Sequence, residues 1–368
     1  MRAVEIVQET GPDSGLKLSN LPEPSGGSWL TPRDEPGADR AGADRSGADM
    51  SGADRSGADR AGADRAGADR AGAVVVEVHA AGVSFPELLQ TRGLYQIKPP
   101  LPFVPGSEVA GIVLSAPEDA DVRAGDRVAA FCGLGGFAET AIAPVHMTFA
   151  LPEQLDFAQG AGLILNYHTA YFALALRGRL QAGETVLVQG AAGGVGTASL
   201  QVAKGLGAQT IALVSNERKR ESASEAGADH VVLVEENWKD EVKAISKGGV
   251  DLVLDPVGGD RFTDSLRCLR EQGRLVVVGF TGGSIPEVKV NRLLLNNTEV
   301  IGAGWGAYAL TKPELSREVG AALESMILAG IVNPIVGARF PLEQAASALT
   351  LLESREAVGK IVLEISGD

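Results

Sequence analysis

Thr185-Val-Leu-Val-Gln-Gly-Ala-Ala-Gly-Gly-Val-Gly-Thr197 decides the fold. A run of strand formers enters a glycine-rich turn, and the apolar-periodic stretch Val195–Leu206 leaves it as a helix. The spacing Ala191-x-Gly193-x-x-Gly196 is the dinucleotide fingerprint, with Ala in the first Gly place. Gly193 would let the backbone approach a pyrophosphate, and Gly196 would let the helix pack close to the strand. The helix start offers free N–H groups and the positive end of a dipole to phosphate. Ala192, Gly193, Gly194, Val195 and Gly196 are thus expected to hold a dinucleotide cofactor.

Outward from this loop, strands and helices alternate. Strands are expected at Thr210–Val214, His230–Val234, Asp251–Leu254, Arg274–Val278 and Thr298–Ile301. Helices are expected at Glu217–Ala226, Trp238–Ser246 and Asp260–Leu269, and a long apolar one at Gln159–Leu176. The pattern predicts an α/β fold with a doubly wound parallel sheet. Before about Ala150 the signals are instead short strands and Gly/Pro turns, such as Val74–Val78, Glu108–Leu114 and Arg127–Phe131, which predict a β-rich domain. Residues 311–330 and 342–354 read as helices. Gly359–Ile365 reads as a final strand returning to the first domain. We expect boundaries at 1–150, 151–300 and 301–368, the last segment completing the first domain.

An Asp or Glu about 20 residues beyond the glycine loop would bind the ribose hydroxyls of NAD and repel a 2′-phosphate. Val214-Ser215-Asn216 stands there with no acid, and Arg218 and Lys219 follow. Ser215, Arg218 and Lys219 therefore favour NADPH, while Glu217 keeps NAD open as the minority reading.

Thirty-three Lys plus Arg against 47 Asp plus Glu give a net charge of −14. Nucleic-acid and anionic-membrane partners need a basic footprint and are not expected. No stretch approaches the ~20 apolar residues of a membrane span. The N-terminus lacks the apolar core of a signal peptide and reads as a strand, so a reduced, cytoplasmic location is expected. Cys132 and Cys268 cannot build a disulfide framework or a four-thiolate zinc site, and the four His are scattered.

Residues 37–71 are seven copies of Gly-Ala-Asp-Arg/Met-Ala/Ser, with a partial copy at Gly72-Ala73. The pattern resembles pentapeptide repeats, which coil into a β-helix with Leu or Phe at the middle position. Here that position is Arg in six copies and Met50 in one. Burying unpaired Arg would cost several kcal/mol each, roughly. We therefore expect 37–73 to be a disordered low-complexity insert in a surface loop between two strands.

Further motifs carry a resemblance over nearly everything outside residues 25–73. They are Ala80-Ala-Gly-Val-Ser-Phe85, Arg92-Gly-Leu-Tyr95, Pro105-Gly-Ser-Glu-Val-Ala-Gly111 and Val122-Arg-Ala-Gly-Asp-Arg-Val128. Gly227-Ala-Asp229, Asp255-Pro-Val-Gly-Gly259 and Gly359-Lys-Ile-Val-Leu363 complete them. With the glycine loop, the chain resembles the medium-chain dehydrogenase/reductase superfamily, in its zinc-free quinone oxidoreductase branch. The resemblance implies a GroES-like β domain closed by the C-terminus, a Rossmann domain, a cleft between them, and homodimers paired through the strand near Thr298–Ala303.

Zinc alcohol dehydrogenases of the superfamily need Cys, a His-Glu pair and a second Cys around one metal. Ser84 and Ser107 stand at the first two ligand places here, and a hydroxyl is a poor Zn²⁺ ligand. No metal is expected. Without a Lewis acid, reduction of a conjugated carbonyl is easier than alcohol oxidation, because the developing oxyanion needs only hydrogen-bond donors or water. The resemblance makes Tyr95 and Ser84 the catalytic candidates, Tyr95 because related enoyl-thioester reductases use a residue there as donor. A rim Tyr and a turn-capping Ser are the bland alternatives. It places Thr169 against the nicotinamide amide and Gly279 and Phe280 under the cofactor. Lys360 is assigned to the 2′-phosphate, with a plain surface lysine as the equal alternative. His168 reads as a packed helix residue and Asp255 as a turn cap.

The sequence thus predicts an NADPH-dependent, zinc-independent reductase of quinones or other α,β-unsaturated carbonyls. An enoyl-thioester reductase is the alternative enzyme. A cofactor-binding structural or RNA-binding protein with little turnover is the alternative outside enzymes.

Overall fold

The structure is a computed structural model that describes residues 1–24, 73–309 and 311–365. The expected disorder of the repeat concerns 37–72, which lie outside the described residues. Ala73 is described, and it opens a strand rather than closing the tract.

Strands run in the order β1 (Arg2–Ile6), β2 (Leu16–Asn20), β3 (Ala73–Val83), β4 (Glu108–Ser115), β5 (Arg127–Phe131), β6 (Thr140–Pro144) and β7 (Thr148–Ala150). They continue with β8 (Thr185–Gln189), β9 (Gln209–Val214), β10 (His230–Leu233), β11 (Val250–Asp255), β12 (Leu269–Val277) and β13 (Glu299–Gly302). The last two are β14 (Val336–Pro341) and β15 (Lys360–Glu364).

Six strands form an all-parallel sheet in the order β10-β9-β8-β11-β12-β13. Helices Gly194–Gly205, Glu217–Glu225, Trp238–Ile245 and Phe262–Arg267 connect its strands. Both faces are covered, so β8 is buried at every position, and this is why its sequence is continuously apolar rather than alternating. The strand order turns back between β8 and β11, and the fingerprint loop leaves β8 at that switch point. β13 spans residue 300, so an expected boundary falls inside a strand of this sheet.

The second sheet has the order β14-β15-β3-β4-β5-β7, with β6 also on β3. β3 is 11 residues long and serves three partners: β4, β6 and β15. β15 lies antiparallel to β3, pairing Ile361 with Val83 and Glu364 with Ala80. The last strand therefore joins the sheet that β3 and β4 build. β1 and β2 form a separate hairpin.

One apolar core crosses between the sheets. It joins Ala80 and Ala110 of the β-rich sheet with Val186 and Val188 of the parallel sheet and Leu200 of the helix after β8, and helix Pro313–Leu328 inserts Val319, Leu323 and Ile327 into it.

The stretch predicted as one helix at Gln159–Leu176 is different. A single α-turn at Phe157–Gly160 precedes two π-helical segments, Ile164–His168 and Phe172–Arg177, joined by an α-turn at Thr169–Tyr171. The wide turns close with bonds such as Gly178 N–H to the Ala173 carbonyl, 2.8 Å. Each π-turn holds an extra residue and so rotates the side chains that follow. Apolar periodicity cannot distinguish this from a regular helix.

Candidate active site

Gly190 leaves β8 with φ 58°. Gly193 then stands as the N-cap of helix Gly194–Gly205. A Cβ built on Gly193 would meet nothing closer than the Gly190 carbonyl oxygen at 3.5 Å, leaving open backbone at the helix start. A Cβ on Gly196 would fall 2.3 Å from that same oxygen. Backbone packs on backbone there, and only glycine fits. Ala192 is buried. Gly194 and Val195 open the helix, whose first-turn N–H groups have no helical acceptor. These residues fit a pyrophosphate, which supplies both charge and acceptors.

Ser215 follows β9, and Asn216 caps the next helix by accepting from Lys219 N–H at 3.0 Å. The Lys219 ammonium lies 3.2 Å from Ser215 Oγ and 2.6 Å from the Arg355 carbonyl. Its pKa is held below the ordinary lysine value by burial, then by the charges of Arg261 and Arg218. Burial and Arg355 likewise lower the Arg261 pKa, against Asp255. Four cations thus share one corner, and none forms an ion pair among the described residues. Such a cluster fits a phosphate dianion. Sequence reading found Ser215, Arg218 and Lys219, which are consecutive with β9. It missed Arg261 and Arg355, which the fold delivers from the loop after β11 and from the turn before β15.

Lys360 is not in that corner. It is 4% exposed, its ammonium lies 2.6 Å from Ser84 Oγ, and it is ion-paired to Glu108. The assignment of Lys360 to the 2′-phosphate is therefore corrected: β15 directs it into the protein, toward β3 and β4. The other Glu108 oxygen accepts from Leu165 N–H at 2.8 Å. Ser84 caps the helix Phe85–Thr91, and its N–H donates to Glu87 Oε2 at 2.9 Å. The other Glu87 oxygen accepts from the Ser107 hydroxyl. Burial raises the Glu87 pKa, opposed by Ser107 and by Lys360. Ser84 and Ser107 are thus both engaged with this buried charged network. Glu87, Glu108 and the network itself were not singled out from sequence.

Tyr95 is half-buried, and burial followed by the Glu87 charge raises the pKa of its hydroxyl above the ordinary tyrosine value. Cys132 also feels Glu87 and Glu108, and burial pushes its thiol up. Tyr95 and Cys132 therefore feel the same patch of buried charge to which Ser84 is bonded. The patch is tied to the glycine loop: Gly359 N–H donates to the Ala192 carbonyl at 2.7 Å, one residue before Lys360. Thr169 is buried in the α-turn between the two π segments. His168, 1% exposed, packs between Phe149 and Trp305, as expected of a packed residue. Asp255 accepts from Val257 and Gly258 N–H at 2.9 and 2.8 Å and is the turn cap. Gly279 and Phe280 follow β12, with the Phe280 ring 38% exposed.

Two family models match the chain: "Alcohol dehydrogenase GroES-like domain" over residues 70–153 and "Zinc-binding dehydrogenase" over 194–321. Quinone oxidoreductase-like protein 2 of Bos taurus is 39% identical over 297 residues, covering 79% of this chain and 85% of the relative. A probable oxidoreductase from Mycobacterium abscessus superposes with a TM-score of 0.80 at 40% identity, covering 99% of this chain and 98% of the other. Escherichia coli quinone oxidoreductase complexed with NADPH gives 0.79 at 28% identity, covering 99% and 100%. A fingerprint loop at the switch point, a β-rich sheet closed by the chain end and a seam of polar groups between them agree with these likenesses. The chain belongs to the medium-chain dehydrogenase/reductase superfamily, in its quinone oxidoreductase branch.

Proposed function

We propose that this chain is an NADPH-dependent oxidoreductase that reduces a quinone or another α,β-unsaturated carbonyl without a metal ion. One observation carries the reading. Gly359 bonds the cofactor loop while the adjacent Lys360 bonds Ser84, so the cofactor site and the polar seam are held by consecutive residues. Ala192 to Gly196 would hold the pyrophosphate, and Ser215, Arg218 and Lys219 the 2′-phosphate. Thr169, Gly279 and Phe280 would contact the cofactor between them. Bound NADPH supplies a hydride. Ser84 and Tyr95 would then face the charge that develops on the carbonyl oxygen, and each has an O–H to offer it as a hydrogen bond. Ser84 is buried, which keeps water from diluting its part of that interaction.

Metal independence is supported by the side chains at the seam. Among the described residues no group of three or more His, Cys, Asp and Glu could hold a metal ion. Homodimerisation belongs to the same reading. β13 is a sheet edge, and Ile285, Val290, Leu294 and Leu295 in the segment that leads into it are 73–76% exposed. Leu294→Asp with Leu295→Asp should shift sedimentation from dimer to monomer. A wild type that sediments as a monomer would remove this part. Free Cys132 and Cys268 fit a reducing, cytoplasmic setting. Among the described residues no helix is long and apolar enough to cross a membrane. The domain division at 1–150, 151–300 and 301–368 remains part of the proposal, with the second boundary inside β13.

The test is NADPH oxidation, followed by absorbance, with 9,10-phenanthrenequinone, an enone and crotonyl-CoA offered in parallel. Turnover with the quinone or enone in chelator supports the reading. Turnover with crotonyl-CoA alone selects the enoyl-thioester alternative. NADPH binding without turnover on any acceptor selects a cofactor-binding structural protein. Stoichiometric zinc in the purified protein would overturn metal independence.

A further inference from the structure

We propose that Lys360 is a positioning residue for Ser84, a buried ammonium that fixes the direction in which the Ser84 hydroxyl donates. The inference rests on the reductase reading above and adds a residue to it.

An ammonium has three donors and no acceptor. Its contact with Ser84 Oγ at 2.6 Å can run only one way, from Lys360 to Ser84. The Ser84 proton must then point away from Lys360. The backbone of Ser84 is fixed as well, because its N–H is bonded to Glu87 Oε2. Glu87 is held by Ser107, and Glu108 is held by Lys360 and by Leu165 N–H. Ser84, Glu87, Ser107, Glu108 and Lys360 are all under 9% exposed. Solvent cannot compete for these bonds, and a hydroxyl that accepts from a cation is polarised into a stronger donor. Because Gly359 is bonded to Ala192, the ammonium also keeps a fixed place relative to the cofactor loop. A fixed cation thus acts, through one hydroxyl, where the zinc enzymes of the superfamily use a metal. No proton leaves Ser84. The hydroxyl only donates a hydrogen bond to the oxyanion.

Removing Lys360 alone would strand Glu108 as an unpaired buried charge, so the test removes both. Four proteins form a cycle: wild type, Ser84→Ala, Lys360→Met/Glu108→Gln, and the triple variant. A hydrogen bond to a charged group is worth roughly 1.5–3 kcal/mol, or about ten- to a hundredfold. Ser84→Ala should therefore lower kcat for 9,10-phenanthrenequinone by about tenfold or more. Lys360→Met/Glu108→Gln should do the same, with acceptor KM and NADPH Kd changed by less than about threefold. Ser84→Ala should add little in that background, because the two act as one unit. Lys360→Arg, which keeps the charge, should retain more turnover than the Met pair. In cofactor-free protein the four melting temperatures should be non-additive.

A folded Met pair with wild-type kcat would overturn the proposal. So would an equal Ser84→Ala effect in both backgrounds, or additive melting temperatures. If the Met pair does not fold, Lys360→Gln/Glu108→Gln replaces it on the same terms. No quinone turnover by wild type would overturn the reductase reading, and the proposal with it.

Discussion

Arg218, Lys219, Arg261 and Arg355 raise a problem of like charge. Burial and mutual repulsion lower the Lys219 pKa, and only Glu356 works against them. A dianion placed among them would relieve that cost, which is why a 2′-phosphate suits this corner. Lys219→Ala should weaken NADPH binding by roughly ten- to a hundredfold, while NADH, lacking the phosphate, should barely respond. Arg355→Ala should show the same selectivity with a smaller factor, since its guanidinium is exposed and screened by salt. Fluorescence titration of each variant with both cofactors checks this. Equal weakening of NADPH and NADH would move the phosphate elsewhere and make Glu217 the residue to test. Sequence alone could assemble half of this site. Ser215, Arg218 and Lys219 sit where a known distance from the glycine loop places them, whereas Arg261 and Arg355 are distant in the chain. Lys360 shows the opposite failure. A lysine near a strand start reads as surface, and only the antiparallel seat of β15 on β3 turns it inward.

At the scale of elements, the strand–turn–helix at 185–205 was readable because close packing demands glycine at fixed positions. The π-helical stretch was not, because its apolar content is that of any buried helix. The wide turns bring His168 into a fully buried place between aromatic rings, with Nδ1 lacking a hydrogen-bond partner among the described residues. Burial lowers its pKa from an ordinary 6.5 to about 3. The unfolded chain therefore binds a proton between those values that the folded chain does not. Stability from this group is complete above about pH 6.5 and is lost as pH falls toward 3, by up to about 1.4 kcal/mol per pH unit. His168→Phe keeps a ring for Phe149 and Trp305 and removes the titration. Between pH 7 and 4.5 the wild type should lose about 2–3 kcal/mol more urea stability than the variant. Parallel slopes in the two proteins would mean that His168 is not buried neutral.

The whole molecule is organised by a seam. Two sheets share one core, and β15 carries the chain back across it. The repeat enters this architecture between β2, in a two-stranded hairpin, and β3, the most heavily paired strand of the β-rich sheet. Both strands find all these partners within the described residues, and the apolar cores are built from them too. The tract itself offers little to a core: its seven Asp and six Arg nearly cancel, and Gly recurs every fifth residue. Loop closure costs only about 0.6 kcal/mol per doubling of length, so a long insertion at this place burdens folding by ~1–2 kcal/mol at most. Replacing residues 37–72 with a short Gly/Ser link should then raise stability slightly or leave it unchanged. The melting temperature should stay equal or climb by a few degrees, roughly 2–4 °C per kcal/mol for a protein of this size. NADPH affinity and quinone turnover should match the parent, because Ser84, Tyr95 and the glycine loop all lie beyond β3's first residue. Calorimetry and initial-rate kinetics on the shortened chain decide the matter. A melting temperature lowered by more than about 5 °C, roughly 1–2 kcal/mol, would show that the tract packs against the body. A selective loss of turnover with stability intact would place it at the cleft.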